Sequence, residues 1–169
     1  MLKGRFGSQL SGNWHCLLRR TEGKEQKLSC CMEGWERFES NCYYFSRNTS
    51  IWNDSKTKCN EMGSGLVVIN TPAEQEFLMK YIYNNTVART KMNFCIGLYE
   101  KTKDRWLWVD GTPLNSTQAF WRNGEPNRKD ENCAVMHIDK ETQAKKNWND
   151  VQCDRDSHHY ICETMVISS

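Results

Sequence analysis

The sequence lacks several features that define common classes of protein. No run reaches the roughly 18 apolar residues that a membrane-spanning helix needs, and residues 1–28 have no apolar middle of the kind found in signal peptides. The net charge is only +2, and basic residues are not interleaved with aromatic ones. The chain is therefore predicted to bind no nucleic acid.

Residues typical of enzyme active sites are also scarce. Histidine occurs only four times, and no paired nucleophile or metal-ligand spacing accompanies His137, His158 or His159. Adjacent residues on a strand or helix cannot face one site, so His158 and His159 are interpreted as two surface histidines. The sequence predicts a protein that is not an enzyme.

Cysteine, in contrast, is abundant. Nine cysteines occur among 169 residues, a length that suits one domain and a tail. This number indicates an oxidising compartment and hence an extracellular location. Spacing alone leaves the disulfide connectivity open.

The most informative chemistry lies in two short segments. Glu125-Pro126-Asn127 and the nearby Glu131 precede Trp148-Asn149-Asp150, so that three carboxylates and two carboxamides are offered together. A hard cation such as Ca²⁺ prefers oxygen ligands of this mixed charge, whereas zinc prefers cysteine and histidine. The segments therefore predict a calcium site.

A longer series of motifs resembles the carbohydrate-recognition domain of the C-type lectins, most closely the myeloid receptor branch with dectin-2, DCIR and Mincle. The resemblance covers residues 31 to about 166 and follows the order of that family. Its landmarks are Cys31, Trp35, Cys42-Tyr43, Trp52, Cys59, 66–70, 74–77, Ile96-Gly97-Leu98, 106–111, Trp121, Glu125-Pro126-Asn127, Trp148-Asn149-Asp150, Cys153 and Ile161-Cys162-Glu163.

The resemblance implies an α+β fold, with two helices, antiparallel sheets and a long ligand-binding loop, stapled by disulfides. Residues 31–166 would form this domain, and residues 1–30 are interpreted as a flexible tail or stalk remnant. Members of the branch normally carry an N-terminal membrane anchor. We therefore expect the ectodomain of a cell-surface receptor or a secreted form, and a splice form, a fragment and an incomplete gene model all remain open.

The same resemblance implies three disulfides: Cys31–Cys42, Cys59–Cys162 and Cys133–Cys153. Cys95 lies in an apolar run and is expected to be a buried free thiol. Cys16 and Cys30 remain, and an inter-chain bridge through either of them would give a disulfide-linked homodimer.

The family pattern also implies one calcium ion and a sugar at the same place. The residues expected to hold both the metal and the carbohydrate are Glu125, Asn127, Glu131, Asn149 and Asp150. A cis Glu125–Pro126 bond is expected to turn the flanking side chains to one side. The family's auxiliary calcium site is expected to be lost, since its positions carry Tyr99, Lys103, Arg128 and Asn132.

The order Glu-Pro-Asn implies ligands with equatorial 3- and 4-hydroxyls, such as mannose, fucose, glucose and N-acetylglucosamine, on glycans or glycolipids. The expected function is calcium-dependent carbohydrate binding by an innate immune pattern-recognition lectin receptor. The alternative is a calcium-independent protein-binding domain on the same fold.

Local signals complete the sequence interpretation. Ser50 is expected to cap a helix that ends near Met62, and strands are expected at 42–45, 66–69, 94–98, 106–109, 134–138 and 160–163. Thr71, Pro72 and Glu74 predict the start of a second helix by a capping box. Asn48, Asn84 and Asn115 begin glycosylation sequons, with a weaker one at Asn53.

Overall fold

The computed structural model describes residues 12–20, 26–86 and 91–168. Residues 1–11, where the predicted tail begins, lie outside these ranges. No helix within them is long and apolar enough to cross a membrane. The elements are β1 (Trp14–Arg20), β2 (Gln26–Met32), β3 (Glu36–Phe38), β4 (Asn41–Phe45), α1 (Trp52–Glu61), β5 (Gly65–Leu66), α2 (Pro72–Asn85), β6 (Met92–Thr102), β7 (Arg105–Trp108), β8 (Cys133–Ile138), β9 (Trp148–Val151), β10 (His159–Met165) and β11 (Ile167–Ser168).

The main sheet has the strand order β3-β4-β10-β6-β8-β9, with β5 on β10 and β7 on β6. Its pairs are antiparallel except for β10 and β6, which run parallel where His159 faces Phe94. The α+β prediction is confirmed, although the sheet is mixed at this one pair. Of the strand predicted at 66–69, only Leu66 belongs to a strand, and 67–69 continue as buried extended chain.

A close backbone approach joins this extended chain to β6. The amide of Gly97 donates to the carbonyl of Val67 at 2.8 Å. A Cβ at position 97 would lie 2.7 Å from the Leu66 carbonyl oxygen, which is closer than packing permits. The Ile96-Gly97-Leu98 motif therefore holds two parts of the core in contact.

The second helix begins as predicted. Thr71 is its N-cap, and the Thr71 hydroxyl accepts the amide hydrogen of Glu74 at 3.1 Å, with Pro72 in the first turn. The Glu74 carboxylate accepts the amide hydrogen of Asn70 at 2.8 Å. Two amide groups at the helix start are thereby satisfied by side chains.

The predicted start of the first helix is wrong. Ile51, not Ser50, is the N-cap of α1, and it makes no side-chain cap bond. Ser50 is instead engaged elsewhere: its amide donates to the His158 carbonyl at 2.8 Å, and its hydroxyl accepts from the Lys58 ammonium at 3.0 Å. Pairing with the chain before β10 therefore takes precedence over capping.

The three predicted disulfides are present. They are Cys31–Cys42, Cys59–Cys162 and Cys133–Cys153. Cys95 is buried and unpaired, as expected, and burial raises the pKa of its thiol to about 12. The Cys95 thiol is therefore a packed core group and not a reactive nucleophile.

The N-terminal part departs from the predicted tail. Strands β1 and β2 pair in antiparallel register with Cys16 opposite Cys30, and β11 extends this sheet along β2. A disulfide joins Cys16 and Cys30 within the chain. The proposed homodimer bridge through either cysteine is therefore wrong, because each thiol is used by the other.

Candidate functional site

The long loop between β7 and β8 carries the Glu-Pro-Asn motif and is held against β9. The Trp148 amide donates to the Phe120 carbonyl at 2.8 Å, and the Arg122 amide donates to the Trp148 carbonyl at 2.9 Å. These bonds fix the loop beside Asn149 and Asp150. The two segments singled out in the sequence are thereby brought together.

Trp148 lies beneath this site as a buried core residue. Its side chain is fully buried, and its indole N–H donates to the Gln75 side-chain oxygen at 3.0 Å. Its ring meets Trp108 and Trp121 edge-on, with centroids 5.5 and 5.8 Å apart. Aromatic packing of this kind makes a rigid base for the loop above it.

Asp150 holds the backbone of the Glu-Pro-Asn loop in place through hydrogen bonds. Its Oδ2 atom accepts the amide hydrogens of Asn127 at 3.0 Å and of Arg128 at 3.1 Å. The side chain is 1% exposed. Sequence analysis predicted Asp150 only as a ligand and missed this positioning role, which depends on a contact between residues 22 and 23 positions apart.

Glu125 lies next to Asp150 with its carboxylate partly desolvated. The Glu125–Pro126 peptide bond is cis, as expected. Glu125 Oε2 and Asp150 Oδ1 are both buried and have no hydrogen-bond partner among the described residues. Burial, followed by the neighbouring Asp150 carboxylate, raises the pKa of Glu125 to about 7.

Glu131 and Asn149 complete the predicted set. Burial, followed by the negative charge of Asp150, raises the pKa of Glu131, and the Arg128 guanidinium lies 3.4 Å from its Oε1 atom. The Asn149 side-chain amide donates to the Asp150 carbonyl at 2.9 Å. Asp150 therefore contacts or electrostatically influences each of the other predicted ligands.

The donor set fits a calcium ion. Two interacting carboxylates that each bury an oxygen without a donor are costly unless a cation or proton lies between them. Among the described residues no group of three or more His, Cys, Asp or Glu side chains forms a ready-made metal cluster. The fit consequently depends on the Glu125–Asp150 pair together with carboxamide oxygens, which calcium accepts.

Two clefts flank this set. One, of about 680 Å³, lies beside Glu125 and is bordered by Arg122, His137 and Lys146. The other, of about 510 Å³, lies beside Asn127. Three predicted auxiliary positions, Lys103, Arg128 and Asn132, line the second cleft, whereas the fourth, Tyr99, packs near Trp52 with ring centroids 6.0 Å apart.

The histidines belong to the scaffold. His137 Nδ1 lies 2.7 Å from the Asn93 side-chain oxygen, and burial lowers the pKa of His137. His159 stacks on Phe94 at 5.2 Å, and the backbone of His158 pairs with Ser50. The two adjacent histidines are half-buried, which corrects their interpretation as surface residues.

The sequons differ in their surroundings. Asn48 and Asn115 are exposed, and Asn115 Oδ1 accepts the amide of Thr117 at 3.0 Å. Asn84 is also exposed and lies in the last turn of α2. Asn53 lies in α1, as predicted.

Comparison with known proteins gives consistent results. Residues 47–164 match the Lectin C-type domain family. The chain is 40% identical over 164 residues to human C-type lectin domain family 4 member E (Mincle), covering 95% of this chain and 70% of the relative. It is 38% identical over 134 residues to human C-type lectin domain family 4 member C, covering 78% of this chain and 59% of that relative's length.

A solved structure shows the same fold. The crystal structure of the C-type lectin domain of murine dendritic cell inhibitory receptor 2 in complex with N-glycan superposes with a TM-score of 0.69 at 34% identity. The match covers 80% of this chain and 98% of that one. The predicted fold and the predicted myeloid receptor branch are both confirmed.

Proposed function

The chain belongs to the C-type lectin domain family, and on that premise we propose that it binds carbohydrate in a calcium-dependent manner. The proposed ligands are mannose-, fucose- or glucose-type glycans or glycolipids. The proposed setting is extracellular, as the ectodomain of an innate immune lectin receptor or as a secreted form. The proposed activity is binding, not catalysis.

One observation carries this proposal. Glu125 Oε2 and Asp150 Oδ1 are buried beside each other without a donor, in a loop that the other Asp150 oxygen holds in place. A bound cation would satisfy both oxygens and remove the repulsion between the carboxylates. Folded chains keep such groups at functional sites more often than elsewhere.

The proposed ligand set provides for recognition of a diol. Glu125, Asn127, Glu131, Asn149 and Asp150 would hold calcium, which when bound supplies a positive charge able to accept two sugar hydroxyl oxygens. Each carboxylate can then accept a hydrogen bond from a sugar hydroxyl, and each carboxamide can donate a hydrogen bond to a hydroxyl oxygen. Glu125 with Asn127, and Glu131 with Asn149, would each hold one hydroxyl of an equatorial 3,4-pair.

The test is sugar binding in matched variants. We expect Glu131→Gln and Asn149→Ala to lower mannose binding by at least about tenfold, which corresponds to about 1.4 kcal/mol, because each removes a ligand of both metal and sugar. Glu141→Gln is the control, because it replaces a carboxylate by a carboxamide in the same way but at an exposed residue outside the proposed site. Circular dichroism checks that each variant is folded.

A glycan array with and without chelator completes the test. Binding that disappears with chelator and returns with calcium supports the proposal. Undiminished mannose binding in Glu131→Gln or Asn149→Ala would contradict it. Chelator-resistant binding of a protein partner, with no sugar bound, would instead identify the calcium-independent protein-binding domain that the family also contains.

A further inference from the structure

A cleft with an excess of positive charge opens beside the candidate sugar site. It has a volume of about 510 Å³ and lies between the β6–β7 turn and the segment that follows Glu125. We call it the basic cleft. Its charged lining residues are Lys101, Lys103, Arg128, Lys129, Glu100 and Asp104.

The basic cleft has a larger excess of positive charge, for its number of charged residues, than the chain as a whole. Four cations and two anions line it, a net charge of +2 within one cleft. The entire sequence has the same net charge from 23 basic and 21 acidic residues. A local excess of this kind favours anions near the surface.

One of the two acidic groups, Glu100, is less available than the lysines. Glu100 Oε1 accepts the amide hydrogen of Asp104 at 2.6 Å, which engages this oxygen within the β6–β7 turn. Across residues 12–20, 26–86 and 91–168, Lys101, Lys103 and Lys129 form no ion pair, and all three are exposed. Three ammonium groups are therefore free to contact a ligand.

The basic cleft adjoins the proposed sugar site directly. Pro126 and Asn127 form part of its wall, and Asn127 is one of the proposed sugar-binding residues. Arg128 lines the cleft and also contacts the proposed sugar site, since its amide donates to Asp150 at 3.1 Å and its guanidinium lies 3.4 Å from Glu131. A substituent on a sugar bound at the calcium site could therefore reach these cations.

We propose that the basic cleft is a subsite for an anionic substituent, a sulfate ester or a phosphate monoester, on the sugar held at the calcium site. This inference rests on the proposed function. Lysine and arginine side chains are the groups that bind tetrahedral oxyanions in proteins. The cations are exposed, so the gain is modest and decreases with ionic strength.

The test sugars are chosen so that the proposed 3,4-diol remains available to the calcium ion. The 3- and 4-hydroxyls must stay free, so the anion is placed at carbon 6 or carbon 2. Mannose is compared with its 6-sulfate and its 6-phosphate, and glucose with its 2-sulfate, all in calcium at fixed ionic strength. The 6-sulfate and 6-phosphate distinguish a sulfate ester from a phosphate monoester as the substituent.

At least one anionic sugar should bind roughly three- to tenfold more tightly than its neutral parent, the range for two or three exposed ion pairs. Lys103→Gln combined with Lys129→Gln should abolish this gain without changing the affinity for neutral mannose. The matched control is Lys56→Gln combined with Lys80→Gln, which removes the same charge from exposed positions on α1 and α2, outside both clefts, and should retain the gain. Unchanged neutral binding reports that both double variants are folded.

The possible results separate this inference from the proposed function. If mannose binds with calcium but none of the three anionic sugars binds more tightly than its parent, the basic cleft is not a subsite and the proposed function stands. An equal loss of the gain in both double variants would also overturn the inference. If neutral mannose fails to bind, while an anionic sugar binds in chelator and is lost only in the Lys103/Lys129 variant, the cleft binds anions and the proposed function is contradicted.

Discussion

At the scale of single residues, Asp150 has two roles that depend on different oxygens. Its Oδ2 atom accepts the amide hydrogens of Asn127 and Arg128, and its Oδ1 atom lies buried without a donor. The first oxygen holds the loop with or without a metal. The second, beside Glu125, is favourable only when a cation or a proton lies between the two carboxylates.

The substitution Asp150→Asn should separate these roles. The carboxamide oxygen of the new side chain can still accept the two amides, and its NH₂ group can donate to Glu125, so repulsion in the metal-free domain is relieved. We expect the metal-free variant to gain about 1 kcal/mol, which raises its melting temperature by about 2–4 °C. The rise in melting temperature on adding calcium should disappear. Thermal unfolding in chelator and in calcium measures both effects.

Asp130→Asn is the control for Asp150→Asn. Asp130 is exposed, and the one hydrogen bond that it accepts from the described residues comes from the Gln152 side chain, at 2.6 Å. This control should keep the calcium-dependent rise and change the metal-free melting temperature little. A calcium response in Asp150→Asn equal to that of the natural chain would show that Asp150 does not hold the metal.

The types of ligand in this site could be predicted from sequence, whereas their arrangement could not. Mixed carboxylates and carboxamides in two short segments indicate a hard cation by chemistry alone. That Asp150 supports the amides of Asn127 and Arg128 depends on the tertiary pairing of distant segments. No local pattern signals that contact. The excess charge of the basic cleft was missed for the same reason, because Lys101 and Lys129 are distant in sequence.

At the scale of secondary structure elements, strand β10 connects several parts of the domain through Glu163. The Glu163 carboxylate accepts the amide hydrogen of Val68 at 2.9 Å and the side-chain amide of Asn41 at 2.6 Å. Burial, with added repulsion from Glu74 and Asp110, raises the pKa of Glu163 to about 7. The neutral form is therefore favoured in the folded state.

This raised pKa predicts how stability changes with pH. A carboxyl group with a folded pKa above its ordinary value of 4.5 contributes stability that is fully present below about pH 4.5 and lost as pH rises through 7. In chelator, the free energy of unfolding should fall by up to about 3 kcal/mol from about pH 5 to about pH 8. Glu163→Gln should remove most of this dependence. Urea titrations at several pH values provide the measurement.

Glu76→Gln is the matched control for Glu163→Gln. Glu76 is exposed on α2, and its hydrogen bond and ion pair with Lys80 lower its pKa. This control should retain the pH dependence of the natural chain. An unaltered slope in Glu163→Gln would assign the dependence to another group, and Glu125, with its raised pKa, would then be examined next.

The element predictions succeeded where the signal was local. The start of α2 depends on interactions between neighbouring residues, namely Thr71, Pro72 and Glu74. The helix begins at this position in the structure. Ser50 carried a similar signal but is paired with the chain before β10, and that long-range contact decided the outcome. Competition of this kind between a local cap and a distant strand is not visible in a single sequence.

At the scale of the whole molecule, the sheet of β1, β2 and β11 is the largest departure from expectation. Residues 14–20 and 26–30 looked like part of a polar tail, but their register places Cys16 opposite Cys30. The resemblance covers only residues 31 to 166, so it could not supply this pairing. The three disulfides within the covered region were predicted because the family pattern implies them.

The arrangement of charge across the molecule also bears on how many calcium ions bind. Glu125, Glu131 and Asp150 lie close enough for their carboxylates to repel one another. Lys103, Arg128 and Asn132 line the basic cleft, where the auxiliary site of the family would lie. A second ion there would have to approach the Arg128 guanidinium and the Lys103 ammonium, which forms no ion pair among the described residues, and this approach is unfavourable at short range.

We therefore expect one calcium ion per chain. Calorimetric titration at neutral pH should give a stoichiometry near one, and Glu131→Gln should weaken that single event. Because the ion binds the folded state, calcium at about a hundred times its dissociation constant should stabilise the domain by about 2.7 kcal/mol. Two binding events of comparable affinity would contradict the expectation. Such a result would mean that Lys103 and Arg128 move away from the cleft when calcium binds, so it would also weaken the case for an anion subsite there.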